Sequence, residues 1–168
     1  RGLTSPELVE GFFHPPYPNL PLNPQNLAAA ISLLKKHISA GDKIAIYGDY
    51  DVDGLTATAI LWETIYSLHK NTFPHIPHRR VEGYGLSQKG IDHCLDQGAK
   101  LIITVDNGIV AFDQNAYAKS KGCDILVIDH HEKLKKLPLA DAIIHSTATT
   151  AAGLAWILSQ ELKNHNSE

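Results

Sequence analysis

The sequence predicts an α/β fold, a three-layer α/β/α domain built on a mostly parallel sheet of about five strands. Short apolar runs alternate with helical stretches along the chain, the pattern of strand–helix–strand units. The two clearest runs, 101–105 and 125–128, are apolar on both faces, as in strands covered by helices on each side. The length of 168 residues suits one domain, large enough to bury roughly 68–70% of its unfolded surface without a staple.

The elements follow in order. Residues 1–24 hold Pro6, Pro15, Pro16, Pro18, Pro21 and Pro24, and are expected to form an extended lead-in that cannot be one long helix. Residues 25–168 form the domain proper. Asn23 caps a helix with Pro24 at its first position, apolar residues recur at Leu27, Ala30, Ile31, Leu34 and Ile38, and Gly41 ends it. A β-type run, 43–47, leads into Gly48 and Asp49. A helix is expected over 56–68, a short strand over 73–77, and a helix capped by Ser87 running to about Asp96. The strand 101–105, a helix over 112–121, the strand 125–128, a weaker strand over 140–144 and a closing helix over 149–162 complete the chain.

Composition narrows the function. Fifteen Lys and Arg against 18 Asp and Glu give a formal charge of -3, so bulk positive charge is not how this chain would hold nucleic acid. Ten His invite a search for metal or acid–base chemistry. Cys94 and Cys123 form no CxxC pair; they read as two half-buried thiols in a reducing compartment. No apolar run approaches the roughly 18 residues that span a bilayer, and no leader opens the chain, which points to a cytoplasmic protein with no membrane association. The absence of Met and the start at Arg1 are expected of a piece of something longer or of a processed chain.

Three apolar strands end in acid. One runs into Asp49, Asp51 and Asp53, one into Asp106-Asn107-Gly108, and one into Asp129-His130-His131. In a parallel sheet these tips share one edge, where five carboxylates would repel strongly without a cation. Carboxylates with imidazole suit Mn²⁺ or Mg²⁺ before Zn²⁺ or Fe²⁺. Asp49, Asp51 and Asp53 alternate, so extended backbone would point them the same way. Gly54 would then turn the chain into a helix whose N-terminus favours phosphate. His130 and His131, if extended, would face opposite sides, one toward a metal and one toward substrate. Taken alone, Asp106 and Asp129 are better read as cap or turn residues, and Asp53 could merely cap the helix after it; three successive acid tips and a His pair are what point to a metal site.

The segments Gly48-Asp49-Tyr50-Asp51-Val52-Asp53-Gly54, Pro77-His78-Arg79, Glu82-Gly83-Tyr84-Gly85-Leu86, Val105-Asp106-Asn107-Gly108-Ile109 and Asp129-His130-His131 together resemble the ordered motifs of the DHH phosphoesterase superfamily. The Glu-Gly-Tyr-Gly-Leu segment resembles its RecJ-type branch of single-strand-specific 5′→3′ exonucleases. That resemblance implies a two-metal phosphodiesterase, with Asp51, Asp53, Asp106 and His130 as ligands, Asp49 beside them and Asp106 bridging two Mn²⁺ or Mg²⁺ ions. It implies that His131 meets the scissile phosphate or its leaving oxygen, with Asp106, His131 and Arg79 as the catalytic set. Arg79 would hold a phosphate and Gly85 belongs to the substrate-binding segment. Tyr84 either stacks a base or packs. Asn107 is a candidate to orient a ligand from behind. Many DHH relatives carry a His where this chain has Tyr47. A further Asp ligand and a second domain that grips single-stranded DNA are expected beyond Glu168. The alternatives are an oligonucleotidase or cyclic-dinucleotide phosphodiesterase, and a non-catalytic nucleic-acid-binding scaffold.

Overall fold

The computed structural model describes residues 2–14 and 22–164. Its elements are α1 (Pro6–Phe13), α2 (Pro24–Ala40), β1 (Lys43–Tyr47), α3 (Val52–Leu68), β2 (Thr72–His75), α4 (Gln88–Asp96), β3 (Ala99–Val105), α5 (Phe112–Ser120), β4 (Asp124–Asp129), β5 (Ala142–His145) and α6 (Ala151–Asn164). The five strands form one sheet in the order β2-β1-β3-β4-β5, every pair parallel. The expected three-layer fold is therefore present. Strand order reverses between β1 and β3, which makes the carboxyl edge there the favoured place for a ligand.

Alternating side chains feed two cores. Ile44, Ile46, Leu101, Ile103, Leu126 and Ile128 meet α2, α3 and α6 on one face. Ala45, Tyr47, Ile102, Ile125 and Val127 meet α4 and α5 on the other. The period-2 alternation of the strands is thus used on both sides, which is why the runs read as continuously apolar. Cys94 and Cys123 lie in this second core at 0% and 1% exposure, so they are fully rather than half buried. Burial pushes both thiols up to about 12, which keeps them unreactive.

Two expectations about local structure are corrected. The lead-in 1–24 is not extended throughout: Ser5 accepts a hydrogen bond from the Leu8 N–H, Pro6 takes the first helical position, and α1 follows. Pro15, Pro16, Pro18 and Pro21 lie outside the described residues. The second expected helix begins at Val52 rather than Thr56, because Asp51 caps it by accepting from the Gly54 N–H at 2.9 Å. Gly54 consequently lies inside α3, not in a turn before it. A Cβ there would come within 2.6–2.8 Å of the Asp49 Cβ, N and Cα, so glycine lets the helix start press onto the tip of β1.

The amino edge of the sheet carries a separate charged network. His37, buried on α2, lies 2.8 Å from Asp42 and 3.1 Å from Asp124. Asp124 also accepts from Lys36 and Lys119, each at 2.8 Å, and Lys119 spans both oxygens of Asp141 at 2.7 Å. Burial alone would raise the Asp124 carboxyl, but Lys119, Lys36 and His37 hold it well below the usual carboxylate range. Among the described residues no helix is long and apolar enough to cross a membrane.

Candidate metal centre

The opposite, carboxyl edge gathers the acids. Asp49 follows β1 and is completely buried, its Oδ1 accepting from the Tyr50 N–H at 2.7 Å. Asp51 is the cap of α3. Asp53 stands in the first turn of α3 and accepts from the Ala151 and Ala152 N–H groups, at 2.8 and 2.9 Å, where α6 begins. It caps a helix, as sequence reasoning allowed, but the distant α6 rather than its own. Asp106, at the tip of β3, has φ +64°, the left-handed region that Asp tolerates better than most residues. Asp129 ends β4. Its Oδ1 accepts from the His130 N–H (2.7 Å), the His131 N–H (3.1 Å) and the His131 ring Nδ1 (2.7 Å), and its Oδ2 from the Ile109 N–H (2.9 Å).

This geometry revises two sequence expectations. Asp49, Asp51 and Asp53 do not line one side of an extended segment, because the chain is already helical from Val52. They occupy a loop, a cap and a first turn, and still converge. His130 and His131 do not face opposite ways either: Asp129 accepts both their N–H groups, the backbone curls after β4, and the rings sit 4.6 Å apart. His130 Nε2 lies 3.1 Å from Asp106 Oδ1 and 3.5 Å from Asp53 Oδ2; His131 Nδ1 lies 4.0 Å from the same Asp106 oxygen. Asp106, His130 and His131 each offer a ligand atom within 4.8 Å of the others.

The electrostatics of this edge call for a cation. Burial, followed by repulsion from Asp53 and Asp51, pushes the Asp106 carboxyl up to about 7. Burial and the Asp51 charge likewise raise Asp49. Asp49 Oδ2 and Asp106 Oδ1 are buried with no hydrogen-bond partner among the described residues; His130 is close to the latter without the alignment of a hydrogen bond. Orphaned carboxylate oxygens beside imidazole nitrogens are a hard-cation donor set. Burial opposes charge on His131, but the Asp129 carboxylate outweighs it and raises the imidazole. Because a carboxylate only accepts, His131 donates through Nδ1, which leaves its Nε2 free for a reacting group.

The residues expected to meet substrate lie at the same edge. Tyr84, Gly85, Asp106, Asn107, Asp129 and His131 line a cavity of about 290 Å³. Tyr84 is 65% exposed, and burial of its hydroxyl beside Asp49, Asp106, Asp51 and Asp129 raises the phenol, so the ring stands over the acids rather than in a core. Arg79 is not in this cavity; its guanidinium sits 5.3 Å above the Tyr50 ring, which meets Tyr84 edge-on at 6.0 Å. Asn107 donates to the Gly48 and Val105 carbonyls, at 3.1 and 2.9 Å, and so binds the β1 and β3 tips together. Tyr47, standing where many relatives have His, is wholly buried under the edge. Sequence reasoning assigned Asp129 no role of its own; the signal was an acid immediately preceding a His pair.

Residues 43–168 match the DHH family, N-terminal domain. The single-stranded-DNA-specific exonuclease RecJ of Bacillus subtilis is 37% identical over 147 residues, covering 86% of this chain and 19% of that protein. RecJ of Thermus thermophilus is 36% identical over 151 residues, 86% of this chain and 22% of the relative. A crystal structure of exonuclease RecJ bound to manganese superposes with a TM-score of 0.79 at 34% identity, covering 89% of this chain and 40% of that one. The chain thus spans about a fifth of the length of these curated relatives.

Proposed function

The chain belongs to the DHH family, and on that premise we propose that it is the DHH part of a metal-dependent, RecJ-type nuclease that hydrolyses phosphodiester bonds in single-stranded DNA. The observation that carries this is the convergence of Asp106, His130 and His131, with buried unpartnered carboxylate oxygens, under a loop bearing Arg79 and Tyr84. The matched relatives are single-strand-specific exonucleases, which favours this reading over an oligonucleotidase or a scaffold. In this reading a second, single-strand-gripping domain belongs to the longer protein.

Asp49, Asp51, Asp53, Asp106 and His130 would hold one or two divalent ions, Mn²⁺ or Mg²⁺. When bound, such ions lower the pKa of a water and offset charge on the phosphate. The chain's own residues do the rest. Asp129 holds the His131 Nδ1–H and favours the charged imidazolium, which leaves an Nε2–H to donate to the scissile phosphate or its leaving oxygen. The Arg79 guanidinium clamps a neighbouring phosphate, and its stacking on Tyr50 keeps the planar fork oriented. Tyr84 offers a ring face to a base.

The test is direct. Purified protein incubated with Mn²⁺ and a long single strand should cleave it, faster than it cleaves a dinucleotide, and EDTA or Asp106→Ala should abolish the reaction. If no cleavage occurs, and Asp106→Ala leaves Mn²⁺ binding unaltered in calorimetry, the proposal fails.

A further inference from the structure

Residues 76–87 connect β2 to α4 and carry both Arg79 and Tyr84. A surface loop of this length would ordinarily sample many positions. Here it is tied down at two points, and neither tie is a metal ligand or a substrate-facing group.

The first tie is Glu82. Its Oε1 accepts from the His78 N–H at 2.9 Å, while the Val81 and Glu82 N–H groups donate to the His78 carbonyl at 2.9 and 2.8 Å. The carboxylate therefore closes the mouth of a tight turn whose tip is Arg79 and Arg80. Glu82 Oε2 pairs with His75 Nε2 at 2.9 Å, at the end of β2. The turn is thus pinned to the sheet itself. The His75 ring is held in place by Tyr47 and His93, with centroids 4.8 and 4.9 Å away.

The second tie is Tyr47. Its hydroxyl donates to the Gly85 carbonyl at 3.2 Å and accepts from the Ser87 N–H at 3.4 Å. Gly83 and Gly85 have φ of +88° and +68°, so the chain reverses on either side of Tyr84 and pushes that ring outward. The two ties meet over Gly90 of α4, where a Cβ would lie 2.3 Å from the Tyr47 hydroxyl and 2.8 Å from Glu82 Oε2. No slack remains between helix and latch. Burial would raise the Glu82 carboxyl, yet the His78 N–H and the His75 imidazole hold it below its ordinary value.

We infer that Glu82, locked between His75 and the His78 amide and backed by Tyr47, is a positioning residue that sets Arg79 and Tyr84 over the metal edge and thereby governs affinity for the single strand. The inference rests on the nuclease reading above. It gives Tyr47, which stands where many relatives have His, a use in holding the loop.

The probe is a fluorescein-labelled oligo(dT), its binding followed by anisotropy, alongside kcat and KM for single-strand cleavage in Mn²⁺. Glu82→Ala should weaken oligo(dT) binding and raise KM by about tenfold, the loss of one charge-assisted contact. Its kcat should fall less than KM rises, and its Mn²⁺ affinity should stay at the wild-type value. Glu82→Gln keeps an acceptor for the His78 N–H and should stay within about threefold of wild type. In an Arg79→Ala background, Glu82→Ala should cost less than it does alone, since only its hold on Tyr84 then remains to be lost. If Glu82→Ala unfolds the protein, Tyr47→Phe provides the same readouts with one hydroxyl removed, and it too should raise KM more than it lowers kcat. Unchanged oligo(dT) affinity in folded variants, full additivity with Arg79→Ala, or a matching loss of Mn²⁺ affinity would each overturn the inference. Absence of cleavage by the wild-type protein overturns the nuclease reading instead, and the anisotropy series still decides the role of Glu82.

Discussion

Asp106→Asn should make the metal-free protein more stable while removing its capacity for metal. Asn has the same shape and accepts the left-handed backbone that Asp106 adopts at φ +64°, so the substitution isolates charge. The wild-type carboxyl rises from an ordinary 3.8 to about 7 on folding. An acid whose folded pKa is raised binds its proton more tightly in the native state, so it carries no penalty below about pH 4. The penalty grows as pH rises and levels off above about pH 7. At pH 8 it amounts to about 4 kcal/mol at 1.36 kcal/mol per pKa unit, and roughly a third of that is already present at pH 5. The advantage of the variant should therefore widen by on the order of 3 kcal/mol between pH 5 and pH 8, or about 5–10 °C in Tm for a chain of this size. Thermal and urea unfolding in EDTA at the two pH values measure it. Mn²⁺ should then raise the Tm of the wild type and leave the variant where it was. An equal gap at both pH values, or a variant less stable at pH 8, would refute the buried-charge argument; equal stabilisation of both proteins by Mn²⁺ would refute the placement of the metal.

Other substitutions separate the structural uses of the edge from the chemical ones. Asp53→Ala frees the Ala151 and Ala152 N–H groups and should cost about 1–2 kcal/mol in urea unfolding, the usual loss for a helix cap, together with a drop in Mn²⁺ affinity seen by calorimetry. Gly54→Ala forces a Cβ against the Asp49 backbone and should cost about 1–3 kcal/mol as an overpacked contact, read as a lower urea midpoint. Asp124→Asn acts at the far edge: the wild-type carboxyl is held low by Lys119, Lys36 and His37, so its stabilisation is present above its unfolded pKa of about 3.9 and is lost as pH falls below that. The variant should be less stable at pH 7, converge on the wild type in acid, and bind Mn²⁺ as before.

The acid tips were legible because each apolar strand runs straight into Asp, and a parallel sheet leaves those tips nowhere to go but one edge. The start of α3 was not, because Val52-Asp53-Gly54 reads as loop by propensity, and only the bond from the Gly54 N–H to Asp51 shows that the helix has begun. Helix α1 has a readable start in Ser5-Pro6, hidden by the prolines around it. The convergence of His130 and His131 depends on one carboxylate oxygen accepting three hydrogen bonds, which alternation along an extended chain does not anticipate. The grip of Asp53 on α6 spans 98 positions, and no local pattern encodes a partner at that distance.

That long-range grip has a consequence for how the protein comes into being. Asp53 emerges from the ribosome about a hundred residues before the amides that hold it. Until α6 docks, the carboxylate is free to turn elsewhere, and the cation-holding edge has no final form. Closure of the carboxyl edge is therefore tied to completion of the whole domain rather than to any local element.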